Sequence, residues 1–156
     1  MLNKTQQVLA YLIKNHPRAS ITVLMKLSYL VDLVSVARTQ KQITHYNYIR
    51  YYYGPFDNAI NTDLQGLIDQ KIIEPRSDYV PSGEEYVVYS LNENISLTTE
   101  LDKDELSIID DVLEDVKGYG ARALTEIAYK TKPMLKFGAT LGGSEHLLEK
   151  LDLQAK

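Results

Sequence analysis

Side chains able to do chemistry are few in this sequence. The histidines, His16, His45 and His146, are scattered and show no metal-ligand spacing. Cysteine is absent, which removes thiolate nucleophiles, thiolate metal sites and disulfides together. No serine sits in a nucleophile-elbow pattern. Asp110-Asp111 offers paired carboxylates, yet it falls within an acidic helical stretch whose solvated face accounts for it. "GATLGGSEHLL" at 138–148 sets glycines and a serine before a possible helix. It lacks the lysine and the spacing of a phosphate loop. Nothing here assembles a nucleophile, a base and an orienting group, so the sequence reads as a non-enzyme without cofactor or metal.

Binding chemistry is better represented. "HYNYIRYYYGPFD", residues 45–57, gathers Tyr46, Tyr48, Tyr51, Tyr52 and Tyr53 in a chain with no tryptophan and two phenylalanines. In an extended strand Tyr46, Tyr48, Arg50 and Tyr52 share one face, while Asn47, Ile49, Tyr51 and Tyr53 share the other. Both faces are aromatic, so one is core. The Arg50 face is the better candidate for a surface, because tyrosine and arginine are the types enriched at binding hot spots, and a plain packed sheet edge is the other reading of it. The same residues would suit base stacking, but the surroundings hold little positive charge. Gly54-Pro55 is expected to break the strand, with the proline fixing the first turn of the next helix.

Lys26 is the second unusual residue. On a helical wheel of residues 20–39, Ser28, Asp32, Ser35 and Thr39 form a polar face, and Lys26 lies opposite with Leu30, Leu33 and Ala37. A lysine on an apolar face must snorkel, pair with an acid or donate to free carbonyls. It reads either as a buried bolt or as a cation in a cleft for a partner, with Tyr29 one turn away in either case.

The elements that position these residues follow from periodicity. Residues 3–15 and 20–39 are expected helices, the first ended by His16-Pro17. "ITHYNYIRYYY" favours extended structure. Asp57 can cap a third helix burying Ile60, Leu64, Leu67 and Ile68. Its outer side shows Asn58, Asn61, Asp63, Gln65, Asp69 and Gln70. "KIIEPRSDYVPSGEEYVVYSL" reads as a hairpin. Asp102 with Glu105 opens a fourth helix through a capping box, and Leu106, Ile109, Val112, Leu113 and Val116 form its stripe up to Gly118. A shorter helix spans 121–130 and closes before Pro133, and Ser144 could cap a last one at 145–152. The sum is a mainly α chain with a small β element. This is an α+β class, a single compact helical domain over 1–156 with a central strand and hairpin and a winged-helix-like first half.

A winged helix would place the third helix in a DNA groove, but its exposed side has no arginine and only Lys71 near its end, and its two aspartates would repel phosphate. Residues 1–92 hold nine Lys/Arg against eight Asp/Glu, and residues 93–156 hold eight against thirteen, giving +1 and −5 and summing to the net −4. No clustered basic excess marks a nucleic-acid protein. "MLNKTQQVLAYLIKNHP" lacks the apolar run of a signal peptide, and Ile21–Ala37 is too short and too charged to span a bilayer. A cytoplasmic location without membrane contact is expected.

"LMKLSYLVD" at 24–32, followed by "YYYGPFD" at 51–57, resembles the Panacea, or SocA-like antitoxin, family. The matching positions are Lys26, Leu27 and Tyr29, then Tyr53, Gly54 and Pro55. "ARALTEIAYKTKP" at 121–133 resembles the family's closing segment, with Thr131-Lys132 where the family often has Thr-His and Met134 where it often has an aromatic. The resemblance implies a largely helical interaction domain that neutralises a toxin encoded beside it, often in phage or mobile-element settings. Lys26, Tyr29, Tyr46, Tyr48, Arg50, Tyr52, Tyr53, Gly54 and Pro55 are then the expected shapers of the partner contact. The alternatives are a winged-helix DNA-binding regulator and a phage-associated adaptor with no toxin.

Overall fold

Polar side chains at the helix starts set the frame. In the computed structural model, which describes residues 2–97 and 99–155, Asn3 accepts from the Gln6 amide at 2.8 Å while the Gln6 side chain accepts from the Asn3 amide at 3.1 Å. This reciprocal cap opens α1, Lys4–Asn15, which buries Val8, Leu9, Leu12 and Ile13. Ser20 caps α2, Ile21–Thr39, by accepting from the Val23 amide at 3.2 Å. Gln40 then takes the left-handed conformation at φ 63°, and its amide reaches Val36 O at 2.9 Å.

α2 is the central post. α1, α4 and α5 pack around it, so little of it reaches water. Most of its expected polar face is therefore not solvated: Ser28, Asp32 and Ser35 are buried, and Thr39 at the end of the helix is exposed. After α2 the chain folds back along the helix through residues 42–48. It forms β1, Ile49–Tyr51, turns through Tyr52-Tyr53, and returns as β2, Gly54–Phe56. The two strands pair antiparallel with Arg50 opposite Pro55 and Tyr51 opposite Gly54.

α3 spans Ala59–Asp69. Asp57 lies outside the helix, yet its carboxylate accepts from the Ala59 amide at 2.9 Å. β3, Ile73–Tyr79, and β4, Glu85–Leu91, form the expected hairpin. It is anchored through Tyr89, whose amide donates to Ala19 O at 2.9 Å. Asp102 and Glu105 make the expected capping box of α4, Lys103–Asp115. α5 spans Ala121–Tyr129 and α6 spans Lys132–Lys136. Mainly helical architecture with two small antiparallel sheets is the α+β class read from the sequence. Among the described residues no helix is long and apolar enough to cross a membrane.

Three local expectations are corrected. Gly54-Pro55 does not open a helix; it forms strand β2, because the break comes one step earlier at the Tyr52-Tyr53 turn. Pro133 does not merely follow a helix; it lies in the first turn of α6, where a missing amide costs nothing. Residues 145–152 are turns and an isolated bridge from Lys150 to Ile49, not a helix.

Candidate functional site: a braced tyrosine tip

The extended stretch before the hairpin alternates as expected, but its faces are reversed. Tyr46, Tyr48 and Arg50 point inward and are buried, whereas Tyr52 is 50% and Tyr53 68% exposed. Period-2 geometry holds from 46 to 50 and ends at 52, which is already in the turn. The inward direction follows from what awaits each side chain. Tyr48 donates its hydroxyl to Asp32 Oδ2 on α2 at 2.6 Å, and Tyr46 donates to Asp63 Oδ2 on α3 at 2.8 Å. Asp63 was expected on the outer side of α3, but it is buried by this bond and lies 3.3 Å from His45 Nε2.

Asp32 is the hub that sequence reasoning missed. Its Oδ1 accepts from the Ile43 and Thr44 amides at 3.0 and 3.1 Å. Its Oδ2 accepts from the Thr44 hydroxyl at 2.5 Å, the Tyr48 hydroxyl at 2.6 Å and the Gln42 amide at 3.3 Å. Burial raises its pKa, and these bonds work against that rise. The available signal was an acid one helical turn below Ser28 in an otherwise apolar helix. Burial likewise pushes the Tyr29, Tyr46 and Tyr48 hydroxyls above the ordinary tyrosine range, the last two also through their neighbouring carboxylates.

Lys26 is buried and donates to Pro55 O at 3.1 Å. No carboxylate pairs with it among the described residues, and loss of hydration alone lowers its pKa to about 8. Of the readings open to it, the buried bolt is the one its surroundings match. Tyr129 on α5 donates to Tyr52 O at 2.9 Å. Arg50, 0% exposed, donates through Nη1 to Tyr51 O. Three buried donors thus hold three successive parts of one hairpin by their carbonyl oxygens. Tyr29 supports the base, donating at 2.6 Å to Thr131 Oγ1, which in turn donates to Ala128 O.

Holding those carbonyls inward leaves the rings of Tyr51, Tyr52 and Tyr53 facing out. Tyr51 stacks on Phe56 with centroids 5.1 Å apart and meets Tyr52 edge-on at 5.5 Å. These contacts join Tyr51, Tyr52 and Phe56 in one aromatic group, while Tyr53 stands apart as the most exposed ring.

Gly54 makes the bracing possible. Its φ is +104°, and a Cβ there would stand 3.2 Å from Lys26 Cε and 3.6 Å from the Tyr129 ring. Gly54→Ala is expected to cost about 2 kcal/mol through backbone strain and displacement of Lys26. Chemical denaturation measures this, and a loss below about 0.5 kcal/mol would show that the hairpin adapts freely.

Residues 24–133 match the family model described as antitoxin SocA-like, Panacea domain, which is 110 of the 156 residues. The chain belongs to the Panacea family. No curated protein and no solved structure matches it. Within the Panacea match lie the whole brace, from Lys26 to Tyr129, and Thr131 beneath it, together with the exposed tyrosines. The three acceptors that complete the Arg50 environment lie outside it, in residues 140–145. The exposed side of α3 in this Panacea chain carries Asn61, Thr62, Gln65 and Asp69, with no cation to meet a phosphate.

Proposed function

We propose that this chain is a single, cytoplasmic, non-catalytic interaction domain that neutralises a toxin encoded nearby by direct contact, with Tyr51, Tyr52 and Tyr53 as the anchors. One observation carries the reading: three exposed aromatic rings stand on a hairpin whose carbonyls are gripped from beneath by Lys26, Tyr129 and Arg50. Rigid aromatic anchors give large contact area at small entropic cost. Family membership supports the antitoxin role. Lys26, Tyr29, Tyr46, Tyr48, Arg50, Gly54 and Pro55 shape the contact from within, and Tyr51, Tyr52 and Tyr53 touch the partner.

The test begins with growth of cells expressing the neighbouring open reading frame, alone and together with this chain. Arrest lifted by co-expression is the expected result. Tyr52→Ala/Tyr53→Ala is then expected to abolish rescue and weaken toxin binding by about 100-fold, the scale of two hot-spot residues. Its melting temperature should stay within about 2 °C, since half-exposed rings contribute little to folding. Full rescue by this variant would move the contact elsewhere on the surface. A harmless neighbour would remove the antitoxin reading. Duplex-DNA binding that weakens steeply with salt would put a regulator in its place.

A further inference from the structure

β1 has two edges. One pairs with β2, and the other is taken by the chain's own late residues. The Arg50 amide donates to Glu149 O at 2.8 Å, the Leu148 amide to Arg50 O at 2.6 Å, and the Leu151 amide to Tyr48 O at 2.9 Å. This is antiparallel pairing around Ile49 and Lys150. The covering segment is weakly held by its side chains. Between Ala139 and Leu151 no side chain is buried. Two non-glycine residues, His146 and Leu148, take φ of 56° and 68°. Gly138, at φ +64° with open space around it, supplies a pivot at the near end. Backbone bonds without apolar burial are the mark of a unit that opens at low free energy.

The same segment provides most of the surroundings of the Arg50 charge. Nη2 donates to Thr140 O at 3.1 Å and to Gly143 O at 2.9 Å. The nearest carboxylate, Glu145 Oε2, is 3.8 Å away and half exposed, and the Tyr129 ring lies 5.3 Å from the guanidinium carbon. Nε is buried and finds no hydrogen-bond partner among the described residues. A buried guanidinium with carbonyl acceptors and a distant acid is under-satisfied, and a carboxylate meeting it in the fork geometry would serve it better.

We propose that the outer edge of β1 is a strand-addition site for an extended toxin segment bearing a carboxylate for Arg50, and that residues 140–150 are a strap that closes it in the free protein. The proposal rests on the antitoxin reading for its partner. Release of the strap would set a guanidinium beside the tyrosine tip and free the Arg50 amide and carbonyl for main-chain pairing.

Ile49→Cys/Lys150→Cys tests it. The pair is directly opposed and not hydrogen-bonded, where Cα atoms lie about 4.5 Å apart and a disulfide fits. The chain has no other cysteine. Hydrogen exchange on the full wild-type chain is expected to show the Arg50, Leu148 and Leu151 amides exchanging at least about 100-fold faster than those of Leu27–Val31 in α2. Oxidation of the double variant should abolish that difference. Equal protection of strap and α2 in the wild type would overturn the strap. For binding, the probe is the purified product of the neighbouring frame that arrests growth. The oxidised variant should bind it at least about 30-fold more weakly than the reduced one. Arg50→Met, with folding confirmed by α2 protection, should lose affinity by about 10-fold or more. Equal affinity of oxidised and reduced forms would overturn strand addition and leave the antitoxin reading intact. Failure of wild type and reduced variant alike to bind would count against the antitoxin reading, with the exchange result still deciding the strap.

Discussion

Asp32→Ala should lower the unfolding free energy by about 4 kcal/mol, a large fraction of the roughly 5–15 kcal/mol a folded domain commonly has. Five donors converge on this carboxylate, from Gln42, Ile43, Thr44 and Tyr48. Alanine leaves the Ile43 and Thr44 amides buried without an acceptor, at about 1–3 kcal/mol each. The hydroxyls of Thr44 and Tyr48 can partly turn elsewhere, and relief of the desolvated charge offsets some of the loss. Asp32→Asn keeps one oxygen for the two amides, so it should cost only about 1–2 kcal/mol. Urea titrations of the three proteins give the order directly. If the alanine variant loses less than about 1 kcal/mol, the 42–48 segment is held by packing and not by this acid.

Lys26 gives the second large effect, and its signature is a slope with pH. The folded pKa of about 8 lies below the unfolded value of 10.5. Below pH 8 both states are protonated, and the folded state bears the full cost of a desolvated charge. Between about pH 8 and 10.5 the unfolded chain binds more protons than the folded one, so stability rises with pH. At about 1.4 kcal/mol for each pKa unit, the whole effect is about 3 kcal/mol. Tyr29, Tyr46 and Tyr48 act in the opposite direction. Their folded pKa values are raised, so above about pH 10 unfolded tyrosines lose protons that folded ones keep, and stability falls. Wild-type stability is therefore expected to peak between about pH 9 and 10, where the tyrosine loss overtakes the lysine gain. Lys26→Met should lack the rise between pH 8 and 10. Lys26→Ala should be less stable than wild type by about 2 kcal/mol at neutral pH, since a cavity and an unpaired Pro55 carbonyl outweigh the relieved charge. A rise retained in Lys26→Met would assign the titration to another group.

Much of the frame was legible because local rules act without long-range help. The capping box at Asp102, the stripe of α4 and the alternation of Tyr46, Tyr48 and Arg50 are periodicity and short-range hydrogen bonding. Which face of that alternation turns inward was not legible. An arginine is normally an outside residue, and the carbonyls that receive Arg50 come from Thr140 and Gly143. The fate of Asp32 was hidden for the same reason: residues 42–48 must fold back before a helix's polar side becomes its interior. At 145–152 the helical reading failed because the chain there is drawn out against β1, and a segment paired in that way cannot also coil. The alternation along this stretch was thus read from the sequence, and its faces were read inverted. Tyr51 and Tyr53, assigned to the core face, are outside, and Tyr46, Tyr48 and Arg50 are within.

The distance along the chain between Arg50 and its acceptors has a consequence for synthesis. Thr140 and Gly143 follow it by 90 and 93 residues. At ribosomal rates of about 5–20 residues per second, this interval lasts roughly 5–20 seconds. The Asp32–Tyr48 clasp, spanning 16 residues, can close soon after leaving the exit tunnel. The guanidinium meanwhile lacks those acceptors, and Tyr52 lacks Tyr129, which follows it by 77 residues. Tip brace and charge cover are therefore completed within about fifteen residues of each other, by Tyr129 and then by Thr140 and Gly143, so the ordered hairpin and the covered arginine arise late and nearly together.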